Sequence, residues 1–203
     1  MSTHTIEINS DNLEKIIDFE NQEEKQIEIK SAVLKDMSCN YSYELLQGIT
    51  KGDELSRKGI HIVHEDMFTA FKKLDVFFAH IDGVFHWANN QTHIDELEEH
   101  EDLNAFNVSA FKITGTDENK AVILTGTKEV SVGTISFSTP KIKLDNSNYL
   151  YVEELRDRLK LVIDQVEAYM NGKTAPQYEQ LSMDFDGSPD DDYEDFDDAK
   201  VNF

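Results

Sequence analysis

Hydrophobic residues in this chain change their period twice, in the same order each time. Residues 26–34 (QIEIKSAVL) bring Ile27, Ile29 and then Val33 to one side, and residues 38–45 (SCNYSYEL) alternate Cys39, Tyr41, Tyr43 and Leu45. Period two in β-branched and aromatic residues predicts two strands, with KDMS as the turn between them. GIHIV (59–63) reads as a third short strand. Over residues 65–81 the period becomes helical: Met67, Phe71, Leu74, Phe78 and Ile81 form one stripe, Lys72 and Lys73 lie opposite, and Gly83 supplies a stop. The order then recurs. NVSAFKIT, KAVILTGT and VGTISFST, separated by the turn-rich GTDENK and KEVS, predict an antiparallel meander. Residues 152–170 return to helical period through Val152, Leu155, Leu159, Val162, Val166 and Tyr169, with Gly172 and Lys173 as the closing signal.

Strands, helix, strands, helix predict an α+β fold with about six antiparallel strands and two main amphipathic helices. Each half reads as β-β-β-α, and SAVLK (31–35) and SAFKI (109–113) begin the pattern in the two halves. Five similar residues arise by chance more readily than by duplication. A true duplication would join two antiparallel sheets, each with a helix packed on it.

The formal net charge is -22, but it is unevenly placed. Residues 1–28 are net -6, residues 92–103 (THIDELEEHEDL) net -6 and residues 176–203 net -9, so the rest of the chain is net -1. Charge blocks of this kind mark solvated or interacting segments rather than core. The expected organisation is an acidic N-terminal segment (1–25), a folded domain (26–173) with an acidic helical insert at 92–103, and a disordered acidic tail (174–203). The insert begins T-x-x-D, a cap pattern for a short helix. The tail has Pro176, Gly187, Ser188 and Pro189 among dense acids, too little apolar area to fold.

Several functional classes find no support in these residues. The one cysteine, Cys39, allows no intrachain disulfide and favours a reducing, cytoplasmic setting. MSTHTIEINSDNLEK lacks the basic and apolar regions of a secretory signal, and no run approaches the roughly 18 apolar residues of a membrane helix, so no membrane association is expected. There is no Walker loop, GxGxxG, nucleophile elbow or HExxH; the expectation is a non-enzyme without cofactor. His61 and His64, and His93, Glu96 and His100, have the side chains of metal ligands, but zinc needs three or four that converge, and surface histidines on a solvated helix account for them equally well.

The meander supports a nucleic-acid reading. Lys112, Lys141 and Lys143 with Arg156 and Arg158 offer phosphate contacts, and Phe106, Phe111 and Phe137 interleave with them. Lysines beside aromatics on a sheet are the chemistry of sequence-tolerant single-strand binding. The competing reading makes the phenylalanines core and the lysines edge protection.

Apolar residues in the acidic tail point to a partner. Gln180, Leu181, Ser182, Met183, Asp184 and Phe185 (QLSMDF) resemble the bacterial sliding-clamp-binding motif, whose short form runs Gln-Leu-Ser/Asp-Leu-Phe; Met183 replaces its fourth residue and Asp184 is inserted before Phe185. The resemblance implies that Gln180 bonds at a pocket rim while Leu181, Met183 and Phe185 fill the pocket. DDDYEDFDDAKVNF, ending in Phe203, is loosely similar to the acidic tails of bacterial and phage single-stranded-DNA-binding proteins, although it lacks their apolar-Pro pair. The sequence therefore predicts a replication or recombination accessory protein, phage or mobile-element encoded. It would bind single-stranded DNA, or a protein on it, through the body and recruit a clamp through the tail. The alternatives are an acidic DNA-mimic inhibitor of a DNA-binding enzyme and a structural or virion protein.

Overall fold

The computed structural model describes residues 26–176, apart from residues 90, 117–118 and 146–148. The acidic N-terminal segment and the tail residues Gln180, Leu181, Met183, Phe185 and Phe203 lie outside the described residues. Strands β1 (Ile27–Lys35), β2 (Ser38–Leu45) and β3 (Glu54–Arg57) are followed by helices α1 (Glu65–Lys72), α2 (Asp75–Ile81) and α3 (Ile94–Glu98) and a 3-10 turn (Glu101–Ala105). Then come β4 (Phe106–Thr114), β5 (Ala121–Val130), β6 (Gly133–Ser138), β7 (Ile142–Lys143) and the long helix α4 (Val152–Met170). The fold is α+β, with one antiparallel sheet in the order β3-β2-β1-β4-β5-β6 and β7 paired to β5.

The two strand sets form one sheet, joined where β1 meets β4 through Ser31↔Lys112, Ala32↔Phe111 and Val33↔Ala110. These residues belong to SAVLK and SAFKI. Superposing one pentapeptide on the other exchanges Ala32–Phe111 with Val33–Ala110, so the likeness lies across a local two-fold between the halves. Each of the two central strands also carries a register shift, between Ile29 and Ser31 in β1 and between Val108 and Ala110 in β4. Gly126 lies opposite Val108, and a Cβ there would collide with the Asn107 carbonyl, so only glycine lets β5 approach the bulged strand. The β1–β2 turn is two residues long; Asp36 adopts φ 56°, which an aspartate tolerates better than most side chains.

The helices pack on one face of the sheet. Ile29, Ala32, Cys39, Tyr43, Phe106, Val108, Phe111, Ile113, Val122 and Leu124 from the strands share a single core with Phe71, Phe77, Phe78, Leu155, Leu159 and Val162 from the helices. The end of α4 follows the expected pattern: Gly172 has φ 97°, and the amide of Lys173 returns to the Ala168 carbonyl.

Three details differ from the sequence reading. The third strand is Glu54–Arg57 rather than GIHIV, which runs irregularly past Gly59 until Val63 bridges Thr174. The helix expected over 65–81 breaks at Lys73–Leu74, and in α2 Val76, Phe77 and Ala79 are buried as well as Phe78. A helix apolar all round must be covered on its outer side. The acidic insert contributes that cover, because Ile94 and Leu97 of α3 turn inward beside α2. The insert's cap is His93, not Thr92, and Glu96 accepts from the His93 amide.

The folded chain also continues past Lys173. The amide of Ala175 donates to the Ile62 carbonyl at 2.9 Å, beside the Val63–Thr174 bridge. A chain ending after Lys173 should therefore melt lower than one ending after Pro176. About 1 kcal/mol for these bonds corresponds to roughly 2–4 °C for a domain of this size. Identical melting curves for the two truncations would contradict the assignment of Thr174 and Ala175 to the fold.

Candidate nucleic-acid interface

Antiparallel register fixes which side chains share the face opposite the helices. Ser31 lies opposite Ser42 and Lys112, Val33 opposite Asn40 and Ala110, Thr125 opposite Ala110 and Ser138, and Thr127 opposite Asn107 and Ser136. Ala121 lies opposite both Thr114 and Lys143, which places Lys143 on this face together with Lys112. The open face is therefore lined by serine, threonine, asparagine and lysine, by the apolar Val33, Ala110, Ala121 and Ile123, and by the carboxylates of Glu44, Glu54 and Glu129; among the described residues no aromatic residue occupies a register position on it.

Its two halves differ in charge. On the β1–β2 side Lys30 is held in ion pairs, whereas exposed Lys35 at the end of β1 has no ion-pair partner among the described residues. Lys30 lies between Glu28 (2.6 Å) and Glu44 (2.7 Å), and Lys120 also reaches Glu28 at 2.6 Å. Burial works against an ionised Glu28, but the two lysines outweigh it and hold its carboxyl below the usual range. Ser42 bridges Ser31 and Glu54. On the β4–β5–β7 side Lys112 and Lys143 are exposed and have no ion-pair partner among the described residues; nor does exposed Lys141, just before β7.

The three phenylalanines differ from the sequence reading, and the two arginines are engaged in ion pairs. Phe106 and Phe111 are buried on the helix side of the sheet, with Phe111 beside Phe71 and Phe106 edge-on to Phe78. Phe137 is half-buried and stacks on Phe78 at 4.2 Å. These three rings serve the core and turn away from the open face, so none is placed to stack a base there. Arg156 is occupied by Glu153 (3.0 Å), Asp145 (3.4 Å) and the Leu144 carbonyl. Arg158 straps α4 to α3 through Glu98 (3.0 Å) and Asp95 (3.7 Å). The periodicity of β4 put Phe111 in a strand, but its facing depended on the bulge near Ser109, which no sequence signal marked.

Two of the candidate histidines cap helical turns. His64 Nδ1 accepts from the Asp66 amide at the start of α1, and His100 Nδ1 from the Asp102 amide at the start of the 3-10 turn. No group of three or more His, Cys, Asp or Glu among the described residues is placed to hold a metal ion. Cys39 is buried, which pushes its thiol up to about 12 and keeps it protonated. Among the described residues no helix is long and apolar enough to cross a membrane.

Asp75 is a charge-bearing residue that the sequence did not single out. It begins α2, is buried, and accepts from the Val108 amide at 2.6 Å, just beyond the last β1–β4 pair at Val33↔Ala110. A helix side chain thus replaces a ladder bond where the strand pairing ends. Burial pushes its carboxyl up to about 7, against the opposing pull of the Val108 amide and Lys72.

No family model matches this chain, and no curated protein or solved structure matches it either.

The Asp75 environment predicts a pH dependence. The unfolded chain loses this proton near pH 4, whereas the folded protein keeps it to about 7. The group's contribution is therefore most favourable at and below about pH 4, is lost as pH rises through the folded value, and is level above it. Asp75→Asn keeps an acceptor for Val108 without the charge. Relative to wild type it should gain stability between pH 4 and 7, by on the order of 2–4 kcal/mol at the upper end. Urea melts at a series of pH values measure the difference; a difference independent of pH would contradict a buried, raised Asp75.

Proposed function

We propose that this chain is a non-enzymatic DNA replication or recombination accessory protein. The open sheet face binds single-stranded DNA, and QLSMDF in the tail recruits a sliding clamp. The observation that carries the reading is the pair Lys112 and Lys143, exposed, without an ion-pair partner among the described residues, and set among hydroxyl side chains on a sheet face that the helices leave uncovered. Lysines supply phosphate contacts, and serine and threonine hydroxyls add hydrogen bonds to phosphate or sugar oxygens. Without aromatics on the face, affinity comes from the backbone of the nucleic acid, and binding is tolerant of sequence and steeply salt-dependent.

A second reading has its own support. Asp95, Glu96, Glu99, Glu101 and Asp102 are exposed on a segment held to the core by Ile94 and Leu97. Carboxylates on a folded surface are what a DNA mimic requires. Arg158 answers part of that charge from α4, which favours the first reading.

Fluorescence anisotropy of a labelled oligonucleotide tests the interface. The double change Lys112→Glu with Lys143→Glu should weaken binding roughly tenfold or more at low salt, with a shallower salt dependence. Removing residues 177–203 should tighten binding, most at low salt, because a tethered polyanion competes with DNA for the same lysines. If the truncated protein has no affinity for DNA at low salt, the mimic reading takes precedence.

The tail is tested separately. A peptide from Tyr178 to Asp186 should bind a bacterial sliding clamp in the micromolar range, roughly 8 kcal/mol. Gln180→Ala, or Leu181→Ala with Phe185→Ala, should weaken it strongly, since a short peptide concentrates its affinity in few anchors. Equal binding by the original and altered peptides would remove the clamp from the proposal.

A further inference from the structure

The two edges of the sheet are built differently. At one end β3 is four residues long and carries Glu54 and Arg57, charges of the kind that discourage edge-to-edge pairing. At the other end β6 reads Gly-Thr-Ile-Ser-Phe-Ser, six residues with no charge and no proline. Its pairing to β5 is regular from Thr125↔Ser138 to Val130↔Gly133, with no bulge to turn the edge away. Among the described residues no strand pairs with its outer side. Pro140 and Lys141, just past Ser138, limit the unguarded stretch to these six residues.

The edge has an apolar side as well as free backbone groups. Ile135 is 51% exposed, and Val132 in the preceding turn is 93% exposed. Phe137, two residues beyond Ile135 on the same face, stacks on Phe78, so this apolar row continues the core to the rim of the sheet. Thr134, Ser136 and Ser138 alternate with it on the open face.

We propose that β6 is a homodimer interface in which two copies of this chain pair antiparallel, edge to edge, about a two-fold axis through Ser136. In that register Ile135 lies opposite Phe137 of the second copy, and Thr134 opposite Ser138. Apolar meets apolar on the helix side and hydroxyl meets hydroxyl on the open side, the like-with-like match a cross-strand pair needs. A strand from another protein would have to supply that alternation independently; a second copy supplies it by symmetry. Charge permits the contact at the edge itself, because β6 carries no charged residue. The guarded β3 edge stops further growth, so the assembly closes at two. The pairing makes one continuous sheet whose open face is twice as wide. A six-residue strand pair is a small interface, so the dimer forms with a Kd on the order of 1–100 µM.

Sedimentation equilibrium of the full chain across that range tests the inference without any nucleic acid. Ser136 is exposed on the open face, so replacing it leaves the monomer core untouched, and circular dichroism checks the fold. Wild type should shift from monomer to dimer. Ser136→Asp alone and Ser136→Lys alone should each place two like charges on the axis and weaken the dimer tenfold or more. Mixing the two variants should restore dimers of mixed composition. A wild type that stays monomeric throughout, or a Ser136→Asp variant that dimerises as tightly as wild type, overturns the β6 interface. Failure of the mixture to dimerise overturns the two-fold at Ser136. All of these outcomes are independent of whether the open face binds DNA.

Discussion

The structure depends on a short antiparallel contact between β1 and β4. It spans three residue pairs, Ser31↔Lys112, Ala32↔Phe111 and Val33↔Ala110, between segments far apart in the chain. Closing so long a loop has an entropic cost that three backbone pairs alone offset only in part. The core beneath the seam supplies the rest: Ala32 and Phe111 are buried there, and Phe71 of α1 packs against Phe111. Where the strand pairing ends, Asp75 takes the next amide. Seam, helix layer and buried carboxyl therefore stand or fall together, and each half alone would expose its central strand as an unpaired edge.

The seam also accounts for the character of the open face. Both central strands carry a bulge, which resets the alternation along the strand and places Lys30 and Lys112 on the side away from the helices. In the first half Lys30 is neutralised by Glu28 and Glu44, and Glu28 also takes Lys120 from the second half. In the second half Lys112 and Lys143 are exposed and have no ion-pair partner among the described residues. The acidic insert fits the same economy of placement, since its apolar residues cover α2 while its carboxylates face solvent or Arg158.

Much of the fold was legible in the sequence because burial on one face imposes a period. The alternation of Cys39, Tyr41, Tyr43 and Leu45 and the spacing of α4 translate directly into structure. The two-residue turn at Asp36 followed from its flanking strands. What was not legible depended on neighbours distant in the chain. GIHIV is apolar enough for a strand, yet β2 pairs instead with the charged Glu54–Arg57. The helix break at Leu74 is stabilised by packing around α2 rather than by a proline or glycine. Phe106, Phe111, Arg156 and Arg158 had the residue types of a nucleic-acid site, but burial takes the two rings and carboxylates take the two cations. Lys112, Lys141 and Lys143 match such a site by residue type and are exposed in the fold.

Methyl labels provide the most direct test of the claim that the open face meets nucleic acid. Ala110 and Ala32 lie on adjacent strands at the seam, Ala110 on the open face and Ala32 in the core below it. Titrating a single-stranded oligonucleotide into protein labelled at alanine and threonine methyls should shift Ala110, Thr125 and Thr127. Ala32, Ala70 and Ala79, enclosed on the helix side, should stay in place. Shifts confined to the helix side, or none at any methyl at low salt, would contradict the account.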